Sequence, residues 1–282
     1  MGVIVRNVVP MRAKADAKAE QTTQGLIGQT VSVQGGQRDW LFVQTWDWYR
    51  AWVQADRVHM LEGNVAYASA GPVAVIRELF ADIFDEPHDR SEVITKATIS
   101  AELELVRAAD EWNELRLPNG RHGFVRKHDA KLVDKDLAHT IWLPDPRKLN
   151  ETAMRFVGVP YLWGGTSPFG IDCSGFVQLV YHIHGVTLLR DAHMQASDPR
   201  AIPIDRASLA GGDLVFFAGK KQDEAGITHV GLMLDREQFI HSCVDFGVII
   251  TPLDDPYYQS IFHSAVRMRL DTLDPGGGAL QD

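Results

Sequence analysis

The sequence predicts an α+β protein in which two small β-barrels precede a larger domain of mixed helices and strands. Three observations lead to this prediction. Short strand-like segments broken by turn residues fill the first half of the chain, and their pattern occurs there twice. A glycine-rich stretch at 164–173 then leads into an amphipathic helix. Two strand-like runs follow, each containing one histidine, at His229 and His241.

The first barrel is predicted over residues 1–62 and the second over residues 63–137. The segments 101–107, 111–117 and 120–125 parallel 30–33, 39–44 and 48–53, which indicates a tandem repeat. Each unit alternates apolar and polar residues with period two, as half-buried antiparallel strands require. The turn at 118–120, Pro-Asn-Gly, favours a hairpin. The opening loop at 11–24 suggests that the first unit has the longer loop of the two.

The second half of the chain divides into three predicted parts. Proline residues mark a linker and the start of a helix at 138–152, with the helix itself over 148–157. The mixed domain covers residues 153–270. The glycine-rich segment 271–282 is expected to be a loose tail.

Composition and charge restrict the classes of partner. The chain has 282 residues, 45% hydrophobic and 23% charged, which is typical of a globular protein of two or three domains. Its formal net charge of −9 argues against nucleic acid or a polyanionic wall polymer, because an acidic surface repels both. We therefore expect a small, diffusible or cationic substrate.

The sequence also predicts a cytoplasmic protein without membrane attachment. Only two cysteines occur, and Cys243 has no evident disulfide partner once Cys173 is assigned to chemistry, which suits a reducing compartment. The N-terminus lacks the basic start and apolar stretch of a signal peptide, and no apolar run reaches membrane-spanning length. The oligomeric state is not indicated.

Cys173 is the predicted nucleophile. Apolar residues recur after it at 176, 177, 180 and 183, the spacing of one helix face, so Cys173 falls in the first helical turn. Asp172 is the expected N-cap and Gly185 the expected stop. Unpaired N–H groups and the helix dipole favour the anion at this position, so we expect a thiolate rather than a structural thiol.

Two histidines are the candidate base and its partner. A hairpin of strands 228–234 and 237–243, symmetric about residue 235, sets His229 directly opposite His241. Both imidazoles then share a face, with Cβ atoms roughly 5 Å apart, close enough for one ring to orient the other. His229 is the better base because Gly231 lies beside it on that face and has no side chain.

A zinc site is the competing use of these residue types. His182 and His184 lie two residues apart on a predicted helix and do not face one ligand together. His193 follows in a loop and lacks a spaced partner. The sequence therefore predicts neither a metal nor another cofactor.

Five motifs mark residues 158–265: Tyr161-Leu-Trp-Gly-Gly, Asp172-Cys173-Ser174-Gly175, Gly212-Asp213-Leu214, His229-Val-Gly and Phe239-Ile-His241. With them, this segment resembles the NlpC/P60 family of papain-like cysteine peptidases. The two preceding units resemble bacterial SH3-like (SH3b) domains. The whole arrangement resembles family members that are γ-D-glutamyl-L-diamino acid endopeptidases, which trim murein peptides with a free N-terminal L-alanine.

The resemblance assigns four catalytic roles. It implies that Cys173 is the nucleophile and that His229 is the general base and acid. It also implies that His241 orients His229. Tyr161 matches the family tyrosine near the oxyanion, to which its phenol is expected to donate.

The resemblance also assigns substrate contacts. Asp172 and Ser174 match positions that bind the substrate amine, and Arg190 is expected to engage the α-carboxylate of D-glutamate. Glu20 and Tyr49 of the first unit are the candidates that close the amine pocket. The first unit then acts as a lid that shortens the cleft.

The function and the leaving group stay open at this point. An exported hydrolase of intact peptidoglycan and a non-catalytic wall-binding protein are the alternative functions. The leaving diamino acid is either diaminopimelate or lysine, because nothing in the sequence identifies its pocket.

Overall fold

The computed structural model describes residues 1–63, 65–136, 145–219 and 226–269. The predicted loose tail at 271–282 and residues 138–144 of the predicted linker lie outside the described residues. Strands are labelled β1 to β22 and α-helices α1 to α4 in chain order.

Seven strands form an antiparallel sheet in the first unit, in the order β3-β2-β6-β5-β4-β1-β7. Its buried core contains Ile4, Met11, Val43 and Val53. The strands are β1 (Gly2–Ile4), β2 (Val8–Arg12), β3 (Gln21–Leu26), β4 (Thr30–Gln37), β5 (Trp40–Gln44), β6 (Arg50–Gln54) and β7 (Val58–Met60).

The second unit repeats this sheet, with the equivalent order β10-β9-β13-β12-β11-β8-β14. The tandem repeat predicted from the sequence is therefore confirmed. The strands are β8 (Pro72–Ile76), β9 (Phe80–Phe84), β10 (Val93–Thr98), β11 (Glu102–Ala108), β12 (Trp112–Arg116), β13 (His122–Arg126) and β14 (Ala130–Asp134).

The two units match strand by strand with a constant offset. From β2 onward, each strand of the second unit starts 72 residues after its counterpart, as Val8 and Phe80 show. The loops at 13–20 and 85–92 are consequently equal in length. The expectation of a longer opening loop in the first unit is therefore wrong.

The predicted closed barrels are also wrong, because each described sheet is open. The end strands β3 and β7 do not pair with each other, and neither do β10 and β14. Within each sheet one junction is narrow: β2 meets β6 at Arg12 and Trp52, and β9 meets β13 at Phe84 and Phe124. Each sheet therefore consists of two strand groups joined by a single residue pair.

The third region combines four helices with a six-stranded antiparallel sheet of order β17-β22-β18-β19-β20-β21. Helix α2 packs on β19 and β20 and contributes to the largest buried cluster. The elements are α1 (Pro146–Met154), β15 (Thr166–Ser167), β16 (Gly170–Ile171), α2 (Cys173–Ile183), α3 (Ala192–Ala196), β17 (Ala201–Pro203), β18 (Leu214–Ala218), β19 (Ile227–Met233), β20 (Gln238–Cys243), β21 (Gly247–Pro252), α4 (Pro256–Ile261) and β22 (Phe262–Met268).

Helix α1 begins two residues earlier than predicted and ends three residues earlier. Asp145 caps it by accepting a hydrogen bond from Arg147 N at 2.9 Å, and Pro146 occupies the first turn. Proline suits this position because its fixed φ matches a helix start and its missing N–H is not needed there. The cap explains the shift in the boundaries.

The three regions contact one another closely. Gly28 of the first unit has φ +86°, and a Cβ there would lie 2.2 Å from the carbonyl oxygen of Glu102 in the second unit. Arg155, just after α1, forms an ion pair of 2.9 Å with Glu78. Phe80 packs edge-on against Phe169 with ring centroids 4.8 Å apart. The second unit thus supports both the first unit and the third region.

Among the described residues, no helix combines the length and the apolar character needed to cross a membrane.

Asn113→Leu is expected to stabilise the protein by about 1–3 kcal/mol. Asn113 in β12 is fully buried, and neither of its amide atoms has a hydrogen-bond partner among the described residues. Leu41, 72 residues earlier, packs against the core of the first unit. Leucine would therefore remove an unpaired buried amide, and the equivalent position of the first unit already contains leucine. Urea unfolding monitored by circular dichroism measures the change.

Asn150→Leu is the matched control. The Nδ2 of Asn150 donates to the carbonyl oxygen of Leu234 at 2.6 Å, so the same substitution removes a made hydrogen bond and is expected to destabilise. A loss of stability in the Asn113→Leu variant would contradict the argument.

Candidate active site

Cys173 opens α2, as predicted. Asp172 is the N-cap and accepts a hydrogen bond from Gly175 N at 2.7 Å. The helix runs to Ile183, and Gly185 follows with φ +80°, a left-handed conformation that ends helices and favours glycine. The apolar face at 176, 177 and 180 is fully buried, which anchors the first turn against the sheet.

The environment of Cys173 favours the neutral thiol, which corrects the expectation of a preformed thiolate. The residue is 8% exposed, and burial raises the pKa of its thiol to about 12, with a further contribution from the Asp172 carboxylate. Hydrogen bonds from the backbone of Val230 and Ser174 act in the opposite direction. Ser174 at the helix start and Val230 in β19 provide these donors, but desolvation outweighs them.

His229 and His241 share one face of the β19–β20 hairpin, and their rings are hydrogen-bonded. The distance from His229 Nε2 to His241 Nδ1 is 2.9 Å. The predicted register is wrong by two residues, because Leu232 pairs with Ile240 and Met233 with Phe239. The two histidines are therefore diagonal neighbours rather than directly opposed. A shift of two residues preserves the face, so the predicted contact still forms.

The turn explains the register. Asp235 accepts hydrogen bonds from the backbone N–H groups of Glu237 and Gln238, at 2.7 and 2.8 Å. This side-chain capping moves the symmetry centre of the hairpin from residue 235 to residue 236. Gly231 consequently faces His241, and a Cβ at Gly231 would lie 3.4 Å from the Cβ of His241.

Both histidines are held neutral. His229 is only partly exposed, and burial lowers its pKa to about 4. His241 is fully buried, and burial together with the neighbouring His229 lowers its pKa to about 2. The other ring nitrogen of His241, Nε2, lies 2.9 Å from Thr251 Oγ1. A hydrogen-bonded line therefore joins His229, His241 and Thr251.

Asp172 and Arg190 form a buried ion pair beside the nucleophile. Arg190 is 1% exposed, and its Nη2 lies 2.5 Å from Asp172 Oδ2. Its Nη1 donates to Asp172 Oδ1 at 3.1 Å and to Ser174 Oγ at 2.9 Å, and its Nε donates to Thr23 Oγ1 at 3.2 Å. Binding of a substrate carboxylate would require Arg190 to exchange one of these partners.

The first unit reaches the site through the end of its β2–β3 loop and through strand β3. Trp163 Nε1 donates to Glu20 Oε1 at 2.7 Å, and Gln21 Nε2 donates to the carbonyl oxygen of Trp163 at 2.9 Å. Gln24 Oε1 accepts from Thr166 N and Ser167 Oγ, both at 2.9 Å. Glu20 is therefore placed next to the glycine-rich segment that leads to Cys173.

Tyr49 also lies at this boundary. Burial raises the pKa of its phenol to about 12, and the neighbouring Asp191 carboxylate contributes to the rise. A side-chain hydrogen bond joins Tyr49 to Asp191, which follows Arg190 in the chain. The structure thus places Glu20 against Trp163 and Tyr49 against Asp191, while their substrate-binding roles stay predictions.

The first unit also contacts α2 behind the site. Asp47 is buried and accepts a hydrogen bond from Gln178 Nε2 at 2.7 Å. Trp46 packs on His182 with ring centroids 4.1 Å apart. The helix that carries Cys173 is thus held by the first unit as well as by its own sheet.

Tyr161 lies near Cys173, through a β-bridge with Ile171 that brings it alongside the start of α2. Burial raises the pKa of its phenol, and Cys173 and Asp172 add to the rise. The phenol is therefore protonated near neutral pH and is available as a donor. Its role toward an oxyanion stays a prediction.

Sequence reasoning missed three neighbours of the site: Asp191, Thr251 and Tyr258. The Tyr258 ring in α4 packs edge-on against His241, with ring centroids 4.9 Å apart. None of the three lies in a recognisable motif. A charged residue next to Arg190 was the only available signal, and it pointed to Asp191.

Among the described residues, no cluster of three or more His, Cys, Asp or Glu side chains is arranged to hold a metal ion. His182 packs on Trp46, and His184 Nε2 lies 2.9 Å from Thr152 Oγ1.

Known proteins resemble the chain over most of its length. The model of the NlpC/P60 family matches residues 158–267. Dipeptidyl-peptidase 6 of Lysinibacillus sphaericus is 30% identical over 91% of this chain and 94% of its own. The chain belongs to the NlpC/P60 family. The segment identified from the sequence, 158–265, agrees closely with the match.

Two further comparisons extend the NlpC/P60 likeness beyond the matched segment. Gamma-D-glutamyl-L-lysine dipeptidyl-peptidase of Bacillus cereus (strain ATCC 10987 / NRS 248) is 29% identical over 87% of this chain and 74% of its own. The crystal structure of an NlpC/P60 family protein from Bacillus cereus ATCC 10987 superposes with a TM-score of 0.82, covering 95% of this chain and 99% of that one at 24% identity. The fold of this NlpC/P60 protein, including both N-terminal units, is therefore one already seen in a solved structure.

Proposed function

We propose that the protein is a cysteine endopeptidase that hydrolyses the γ-D-glutamyl–diamino acid bond of murein peptides with a free N-terminal L-alanine. The observation that carries the proposal is the hydrogen-bonded His229–His241 pair on the sheet that packs against the Cys173 helix start, beside a boundary where the first unit presents Glu20 and Tyr49. The relatives named gamma-D-glutamyl-L-lysine dipeptidyl-peptidase and dipeptidyl-peptidase 6 support it.

The reaction is an acyl transfer. His229 takes the proton of the Cys173 thiol as the sulfur attacks the γ-carbonyl carbon of D-glutamate, and the phenol of Tyr161 donates to the developing oxyanion. The carbon–nitrogen bond then breaks as His229 returns the proton to the leaving amine, which leaves a thioester. Water, deprotonated by His229, attacks the thioester, releases L-Ala-D-Glu and restores the thiol.

The neutral thiol of Cys173 and the neutral imidazole of His229 suit this sequence of steps. With the pKa of the thiol raised and that of His229 lowered, the proton moves during attack rather than before it. His241 stays neutral throughout because burial opposes a charge on it. It therefore orients His229 and accepts its N–H without competing for the proton.

Substrate recognition is proposed at the boundary between the first unit and the third region. Asp191 is hydrogen-bonded to Tyr49 and Glu20 to Trp163, and a protonated amine binds well where carboxylates and aromatic rings converge. Asp172 and Ser174, which flank Cys173 in the chain, are proposed to contribute to the same site. We propose that the L-alanine amine binds here and that a blocked amine would leave these groups unpaired.

In this proposal, Arg190 mainly positions neighbouring side chains. Its side chain donates hydrogen bonds to Asp172, Ser174 and Thr23, so its primary contribution is to hold Asp172 and Ser174 in position. Contact with the α-carboxylate of D-glutamate remains part of the proposal and requires one of these bonds to exchange.

We also propose that the two N-terminal units are SH3b-type domains and that the first one is the lid that shortens the cleft. Its contacts to Trp163, Thr166 and Gln178 support this role. Cytoplasmic recycling of murein peptides is the proposed setting, and two free cysteines agree with it. Lysine and diaminopimelate are both retained as leaving groups.

A peptide panel tests the proposal. L-Ala-γ-D-Glu-L-Lys and its diaminopimelate analogue should each be tested for release of L-Ala-D-Glu by mass spectrometry. N-acetylation of the alanine is expected to lower kcat/KM by about 100-fold or more, because the carboxylates of Glu20 and Asp191 would lose their cationic partner. Equal turnover of free and acetylated peptides, or cleavage of intact peptidoglycan, would contradict the recycling function and favour an exported hydrolase.

A further inference from the structure

The hydrogen-bonded line behind the nucleophile ends at Thr251. Its Oγ1 lies 2.9 Å from His241 Nε2, and His241 Nδ1 lies 2.9 Å from His229 Nε2. His241 is fully buried and Thr251 is 7% exposed, so water has little access to either group. Both ring nitrogens of His241 are therefore committed to protein partners.

Packing fixes the plane of the His241 ring but does not choose its tautomer. Phe239 stacks on the ring at 4.7 Å between centroids, and Tyr258 meets it edge-on at 4.9 Å. These contacts are equally good whichever nitrogen carries the proton. The tautomer of His241 therefore depends only on its hydrogen bonds with His229 and Thr251.

Only one of the two tautomers serves catalysis. If Thr251 donates to His241 Nε2, the proton of His241 sits on Nδ1 and must point at His229 Nε2. His229 then carries its own proton on Nδ1, and that nitrogen no longer accepts a proton from a thiol. If Thr251 accepts from His241 Nε2, His241 Nδ1 accepts from His229 Nε2, and His229 Nδ1 keeps its lone pair.

We propose that Thr251 is a positioning residue that holds His241 as the Nε2–H tautomer, so that Nδ1 of His229 remains free to take the proton of Cys173. The proposal rests on the proposed function of His229 as the base. Thr251 thus joins His229 and His241 as a residue that supports catalysis. It offers a neutral hydroxyl, whereas a carboxylate in the same place would fix the tautomer by its charge.

Thr251→Val and Thr251→Ser separate the hydroxyl from the shape of the side chain. Valine keeps the branched shape and removes the hydroxyl, whereas serine keeps the hydroxyl. We expect Thr251→Val to lower kcat about 10- to 100-fold with little change in KM, because Thr251 is buried and acts through His241. Thr251→Ser is expected to restore most of the activity.

Thr98→Val is the matched control. Thr98 is fully buried in the second unit, and its Oγ1 has no hydrogen-bond partner among the described residues. The same chemical change there is expected to leave kcat and KM as they are. A general effect of removing a buried hydroxyl would appear in both variants.

Histidine ¹⁵N chemical shifts provide a readout that does not depend on activity. In the wild-type protein, Nδ1 of both His229 and His241 is expected to show the shift of an unprotonated nitrogen. In Thr251→Val, His241 is expected to become a mixture of tautomers, and Thr251→Ser should return to the wild-type pattern. A merely structural role for Thr251 would leave these shifts unchanged.

The outcomes distinguish this inference from the proposed function. Wild-type kcat in Thr251→Val, unchanged ¹⁵N shifts in that variant, or a serine variant as impaired as the valine one would each overturn the role of Thr251. An inactive wild-type protein would instead overturn the proposed function, while the ¹⁵N shifts would still decide whether Thr251 sets the tautomer.

Discussion

Replacing Cys173 with alanine is expected to lower the hydrolysis of L-Ala-γ-D-Glu-L-Lys by about 10⁴-fold or more. The thioester cannot form without the sulfur, and neither His229 nor Tyr161 offers a substitute nucleophile. The fold should persist, because alanine fits the first turn of a helix and Asp172 still caps it. Release of L-Ala-D-Glu, followed by mass spectrometry, measures the loss.

Cys243→Ser is the control for this experiment. Cys243 is the second free cysteine, lies at the end of β20 and is only partly buried, so its replacement should retain most of the activity. Residual turnover by Cys173→Ala at a rate near that of the wild type would disprove nucleophilic catalysis by this thiol. Peptide binding without any turnover in the wild-type protein would favour the non-catalytic alternative.

Arg190→Met is expected to lower the free energy of unfolding by about 3–5 kcal/mol. The substitution keeps an apolar stem of similar length but leaves Asp172 buried without its cation. Asp172 also caps α2 and accepts from Gly164 N at 2.9 Å, so the cost falls on the turn that carries the nucleophile. Chemical denaturation in the absence of substrate measures the change without reference to catalysis.

Arg121→Met is the matched control for the ion pair. Arg121 pairs with Asp85 at 3.1 Å on the surface, where both side chains are half-exposed or more. Exposed pairs contribute little, so this variant should change stability by less than about 1 kcal/mol. Similar losses for the two variants would show that the Arg190 pair gains nothing from its burial.

The predictions from local patterns were the successful ones. The start of α2 at Cys173, its cap Asp172 and its stop Gly185 are encoded within a dozen residues, and the structure confirms all three. The common face of His229 and His241 follows from the two-residue period of strands, which a shift by two does not disturb. The tandem repeat could be predicted because it repeats a local pattern of strands and turns.

The features that were predicted wrongly or missed are ones that the periodicity of strands and helices does not determine. The hairpin register depended on Asp235 capping the turn, which strand periodicity does not show. The ionisation of Cys173 depended on burial by the sheet and by neighbouring elements, which outweighs the local helix start. Thr251 reaches His241 only through the pairing of β20 with β21, so no motif includes it.

The prediction that the N-terminal sheets close into barrels was wrong for a related reason. Strand-like segments predict pairing but not whether the last strand returns to the first. The junctions at Arg12 and Phe84 each consist of a single residue pair, with Trp52 and Phe124. The apolar periodicity of a single strand does not indicate how many residues it pairs with its neighbour.

The buried neutral thiol has a consequence for survival of the protein under oxidative stress. Peroxides and alkylating agents attack thiolates, and the raised pKa of Cys173 keeps its thiol protonated at neutral pH. The sulfur is therefore chemically quiet between turnovers and becomes reactive only during the moments when His229 holds its proton. Damage by cellular oxidants is limited by the same burial that shapes the active site.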